Sequence, residues 1–150
     1  LEVCVIGAGY VGLATAAALA NLGHIVICTD TDADKIARLC AGECPIREPD
    51  LPEALRHNLD AGRLTFTTDT PAAVRSPEVV FIAVGTPLDA NGCADLSHLR
   101  AAALDIARAL GGRKLIVNKS AIPATWRPGP AEQIARHLGR PLLDNALAMW

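Results

Sequence analysis

Close to its start the chain reads Gly7-Ala8-Gly9-Tyr10-Val11-Gly12, between an apolar run at residues 3–6 and an alanine-rich stretch that ends at Gly23. Three glycines at this spacing, set between a buried strand and a helix, each leave out a side chain for a different reason. Gly7 permits a tight turn, Gly9 lets the backbone approach a pyrophosphate, and Gly12 lets the helix pack closely on the strand. The unpaired N–H groups and positive dipole end of that helix then face the anion. Taken alone the pattern is weak, because glycines also mark ordinary strand-to-helix turns.

The segments that follow keep the same rhythm. Residues 3–6 and 25–28 read as continuous apolar strands, as expected of a parallel sheet covered on both faces. Residues 11–22 and 34–40 have helical character, and Gly23 ends the first of these helices. Residues 51–59 form a helix, 65–67 a short strand, and Asp69 caps a short helix after it. Residues 79–84 form another buried strand, closed by Gly85-Thr86-Pro87. A helix over 96–110, capped by Asp95 and ended by Gly111-Gly112, precedes a strand at 115–117 and an amphipathic helix at 131–138. Strands alternating with helices predict an α/β fold, a Rossmann-type doubly wound, mostly parallel sheet with helices on both faces. The loop over 86–95 is expected to be the most mobile segment, at a strand's carboxyl end.

Composition removes several alternatives. Among 150 residues, 51% are hydrophobic and the net charge is −2, so one core-bearing domain over 1–150 is expected, with no basic footprint for nucleic acid. The apolar stretch at 11–22 is too short and interrupted to span a bilayer, and no basic leader precedes it, which points to a cytoplasmic protein without membrane attachment. Five cysteines, an odd number partly inside strand-like runs, suit reduced thiols rather than a disulfide scaffold. Cys40 and Cys44 lack the second pair or the histidines that would complete a metal site. The chain begins at Leu1 rather than Met, in keeping with an excised segment or a natural truncation.

The acid that follows the second strand narrows the ligand. Asp30 stands where a carboxylate accepts hydrogen bonds from adenosine ribose hydroxyls and repels a 2′-phosphate, which favours NAD over NADP. The other reading of Asp30 is a turn cap toward Asp32 and Asp34. Thr86, and Lys119-Ser120 after the next strand, lie at strand ends that open on the same crevice. His24, His57, His98 and His137 are dispersed and read as surface or capping residues. No nucleophile elbow, paired carboxylate or activated cysteine is evident, so no catalytic residue is assigned.

At this density the motifs resemble a known family, the UDP-glucose 6-dehydrogenase group of NAD-dependent nucleotide-sugar dehydrogenases. "VIGAGYVGLATAAALANLGHIV", "TDTDADKI", "PIREPDLPEAL", "AGRLTFTTD", "VVFIAVGTP" and "GCADLS" follow in family order over residues 3 to about 123. The resemblance implies that Tyr10 and Val11 join Gly7, Gly9 and Gly12 at the pyrophosphate, and that Asp30 and Lys35 hold the adenosine end. It places Thr86 at the cofactor's ribose and Ser120 on the nicotinamide side. It also implies oxidation of an alcohol to a carboxylate with two NAD, through a cysteine-bound thiohemiacetal and thioester. GDP-mannose or a UDP-N-acetyl-hexosamine is the alternative substrate, and a non-catalytic nucleotide-binding module the alternative of another class.

Certain positions depart from the family pattern. Ala121 stands where the family usually has a threonine whose hydroxyl positions water, within a segment that runs on to Trp126. Asp50 replaces a usual glycine, and if Asn145 matches the family's asparagine, Leu147 replaces its glutamate. The family's nucleophilic cysteine, partner lysine and acid, most sugar contacts and the dimer helix would lie beyond residue 150. This chain alone is therefore expected to bind NAD without completing catalysis, meeting a nucleotide sugar only with a second domain, in a parent that is a homo-oligomer. Cys93 is no substitute nucleophile, having no cationic neighbour to activate it.

Overall fold

The computed structural model describes residues 1–123, 130–138 and 147–149. Strands β1 (Glu2–Ile6), β2 (Ile25–Thr29), β3 (Leu64–Thr67), β4 (Val79–Ile82), β5 (Leu115–Asn118) and β6 (Leu147–Met149) form one parallel sheet in the order β3-β2-β1-β4-β5-β6. Their carboxyl ends are aligned, with Ile6 opposite both Thr29 and Ile82, and Ile82 opposite Asn118. The order reverses between β1 and β4, and such a switch point opens a crevice above the strand ends.

Both faces of the sheet are covered, which is why β1 is apolar without alternation. Val3 and Val5 pack beneath α1 (Tyr10–Asn21), α2 (Ala33–Cys40) and α3 (Leu51–Asp60), against Leu13, Ala16, Leu39 and Leu55. Cys4 and Ile6 point the other way, toward Val74 of α4 (Thr70–Arg75), Leu99 and Ile106 of α5 (Ser97–Ala109) and Ile134 of α6 (Pro130–Leu138). The doubly wound α/β architecture is the one the sequence predicts.

Local signals place several element ends. Gly23 adopts φ +91°, its N–H donates to Ala20 O at 3.0 Å, and the His24 N–H donates to Leu19 O at 3.2 Å, which closes α1 in a Schellman turn. Asp32 and Asp69 cap α2 and α4 by accepting from the Lys35 and Ala72 N–H groups, each at 3.0 Å. Asp95 accepts from the Ser97 N–H at 2.9 Å, but it sits one residue before the N-cap, Leu96. Beneath the sheet the buried Lys114 tail donates through Nζ to Arg75 O and Pro77 O at 2.8 and 2.7 Å.

Two elements differ from the sequence reading, and the loop between β4 and α5 carries its own hydrogen bonds. The strand expected at 79–84 ends at Ile82; the Ala83 N–H still donates to Ile6 O of β1 at 2.8 Å, after which Ala83 and Val84 line the crevice. The loop over 86–95 is a clipped hairpin: Leu88 bridges Ala94, and Asp89 Oδ1 accepts from the N–H groups of Asn91 and Cys93 at 2.8 and 2.9 Å. β6 was not foreseen as a strand. Asn145 and Trp126 lie outside the described residues. Cys4 and Cys28 are buried, and burial pushes the Cys4 thiol up to about 12 and the Cys28 thiol higher still, so neither forms a thiolate near neutrality.

Candidate functional site

The glycine turn follows directly from the end of β1. The Gly7 N–H donates to Thr29 O at 2.7 Å, and the chain then turns with Gly7 at φ +105°. A Cβ on Gly7 would lie 2.5 Å from Ala83 O, and one on Gly12 would lie 1.7 Å from Gly7 O. Both positions therefore exclude any side chain for reasons internal to the protein. Gly9 differs: it is the N-cap of α1, at φ −84°, and a Cβ there meets no protein atom within 4 Å. The space above Gly9 is open, and no acidic residue in the first turn of α1 competes for its N–H groups.

Asp30 follows β2 and faces this turn. Its Oδ2 accepts from the Ala8 N–H at 2.8 Å and from Lys35 Nζ at 2.9 Å, and its Oδ1 accepts from the Asp32 N–H at 3.0 Å. Partial burial alone would raise the pKa of Asp30; the Asp32 N–H, Lys35 and the Ala8 N–H outweigh it, and the carboxyl is held below its ordinary value. A carboxylate has about four acceptor directions. Three are occupied here, so Oδ1 keeps one for a ligand hydroxyl.

Between β1 and β4 lies a cleft of about 460 Å³. Gly7, Gly9, Asp30 and Lys35 line it together with Val84, Gly85 and Pro87. The structure also brings in residues the sequence did not single out: Thr31, Thr70 of α4, and His98, Ala101, Ala102 and Asp105 of α5. His98, read from the sequence as a surface or capping residue, is exposed and stands at the cleft wall. The available signal was a helical stripe at i, i+3, i+4 and i+7, rotated away from the core stripe of Leu99, Ala103 and Ile106.

The remaining expected residues stand apart from that cleft wall. Gly12 lies beneath the turn, packed on Gly7. Tyr10 and Val11 are 55% and 42% exposed on the first turn of α1, which leaves them uncovered beside the open N-terminus. The Thr86 hydroxyl donates to Ala121 O at 2.9 Å, tying the ends of β4 and β5 together. Ser120 is buried, with its hydroxyl toward Ile82 O at 3.4 Å.

A doubly wound sheet with its glycine turn and acidic second strand meeting at the switch point defines a Rossmann-type dinucleotide-binding domain. The chain belongs to the UDP-glucose/GDP-mannose dehydrogenase family, whose NAD binding domain matches residues 1–145. It is 48% identical over 134 residues to the UDP-glucose 6-dehydrogenase of Pseudomonas aeruginosa, which covers 89% of this chain and 29% of that protein. Among solved structures, a ternary complex of GDP-mannose dehydrogenase from Pseudomonas aeruginosa superposes with a TM-score of 0.92 at 32% identity, covering 99% of this chain and 35% of the other. A UDP-glucose dehydrogenase from Pyrobaculum islandicum gives 0.85 at 38% identity, covering 99% and 34%. The chain thus spans about a third of the length of the relatives it matches.

Proposed function

We propose that this domain binds NAD across the switch point and serves an NAD-dependent oxidation of a nucleotide sugar, UDP-glucose in the first instance. The observation that carries the binding is the pair formed by an open Gly9 and a caged Asp30, one shaped for a pyrophosphate and the other for a ribose. Gly7 and the first turn of α1 would hold the pyrophosphate, with Tyr10 and Val11 flanking it. Asp30 would accept from a ribose hydroxyl while Lys35, already 2.9 Å from that carboxylate, keeps it ionised and aimed. Thr86 and Ser120 would line the far half of the cofactor at the ends of β4 and β5. Bound there, NAD supplies a hydride acceptor.

In this reading the domain positions the cofactor, and a separate sugar-binding domain with the nucleophilic cysteine supplies the substrate; the parent works as a cytoplasmic homo-oligomer. UDP-glucose is preferred because the 48% identical relative bears that activity in its name. GDP-mannose is the second reading, supported by the 0.92 superposition on a GDP-mannose dehydrogenase. The full-length protein should reduce NAD with UDP-glucose at a kcat/KM at least about tenfold above that with GDP-mannose or a UDP-N-acetyl-hexosamine. NADH absorbance decides this, and equal or reversed preference overturns the substrate assignment. Absence of turnover with every sugar would favour a non-catalytic module, the reading to which Ala121 lends support.

A further inference from the structure

The cleft contains two carboxylates in opposite condition. Asp30 accepts three hydrogen bonds from the protein. Asp105, half-buried in the wall contributed by α5, forms no hydrogen bond or ion pair with any described residue. A partly desolvated acceptor without a donor is unfavourable unless a ligand or water supplies one.

The surroundings say which part of a dinucleotide lies there. With the pyrophosphate at Gly7 and Gly9 and the ribose at Asp30, the base falls beyond the ribose, toward α4 and α5. Ala101 and Ala102 present nothing past Cβ and, with Val84, give this part of the cleft an apolar lining that a purine ring can pack against. Asp105 lies one turn further along the same stripe of α5. Of the other polar groups of this wall, Thr70 already donates its hydroxyl proton to Thr29 Oγ1 at 3.0 Å, and His98 stands two turns before Asp105 on α5, exposed to solvent.

We infer that Asp105 selects the base of the dinucleotide by accepting a hydrogen bond from the exocyclic 6-amino group of adenine. A carboxylate only accepts, so a purine with a 6-oxo group in that orientation sets two acceptors against each other. Asp105 is thereby a specificity-determining residue, separate from the turn and the ribose acid. This assignment rests on the proposed course of NAD through the cleft.

The test is calorimetric titration of this chain with NAD and with nicotinamide hypoxanthine dinucleotide, which carries oxygen in place of the amino group. The chain should prefer NAD at least about tenfold, the worth of one hydrogen bond to a charged group. In Asp105→Ala the preference should collapse through weaker NAD binding, with the affinity for the hypoxanthine dinucleotide unchanged or improved. In Asp105→Asn, whose amide both donates and accepts, the two dinucleotides should bind within about threefold of each other. Equal affinities in the unsubstituted chain, or equal losses for both ligands in Asp105→Ala with an unchanged thermal midpoint, would overturn the role of Asp105 and leave the binding of NAD intact. Absence of binding by either ligand would overturn both.

Discussion

Gly9 and Gly12, three residues apart in the same turn, are constrained by different partners, and substitution separates them. A Cβ on Gly12 meets Gly7 O at 1.7 Å, whereas one on Gly9 meets open space. Gly12→Ala should therefore cost about 2–3 kcal/mol in chemical denaturation, because backbone must shift. Gly9→Ala should cost less than about 1 kcal/mol, the loss of a favourable N-cap, yet weaken NAD at least about tenfold by filling the pyrophosphate space. Asp30 has a signature in pH. Its carboxyl is held below its ordinary value in the fold, so its contribution to stability is complete above about pH 4, the unfolded pKa, and is lost as pH falls through the folded one. Thermal melts should show Asp30→Asn less stable than the parent at pH 6, with the gap narrowing toward pH 3; a gap that widens in acid would reject this account. The turn glycines and Asp30 were readable because their demands are local, a positive φ or a strand end. Asp105 and His98 were not, because a helix surface becomes a cleft wall only after α5 folds back across the sheet.

At the level of elements, α3 begins with a strained residue. Asp50, the N-cap, has φ +64° and its side chain makes no capping hydrogen bond. Among the described residues it is the non-glycine with positive φ, at a position where the family resemblance expects glycine. Asp50→Gly should raise stability by about 0.5 kcal/mol, the relief of the left-handed backbone partly offset by a more flexible unfolded chain. Asp50→Val should lower it by about 2 kcal/mol, since a β-branched residue tolerates this conformation worst. Denaturant midpoints check both. The sequence revealed helices and buried strands through apolar runs and Gly or Asp at their ends, as with Gly23, Asp32 and Asp69. Two things escaped it. Asp89 organises the 86–95 hairpin through backbone N–H groups that no spacing rule exposes, and β6 is three residues, Leu-Ala-Met, without the β-branched content that marks a strand.

Across the whole molecule, the carboxyl ends of β1, β2, β4 and β5 gather the glycine turn, Asp30, Thr86 and Ser120 at one edge, while the apolar residues of both sheet faces hold that edge in register. The alternation of strands and helices made the fold class legible, and the ordered motifs made the family so. The path of the cleft between α4, α5 and the glycine turn followed only from strand order, which composition and periodicity leave open. If this edge binds NAD while the ionised Asp30 refuses a 2′-phosphate, titration calorimetry of the chain with NAD and NADP separates the two dinucleotides. NAD should bind with a dissociation constant at or below the millimolar range, and NADP at least about tenfold more weakly, because the ionised Asp30 faces the ribose. No heat with millimolar NAD, or equal affinity for NADP, would contradict this reading of the edge.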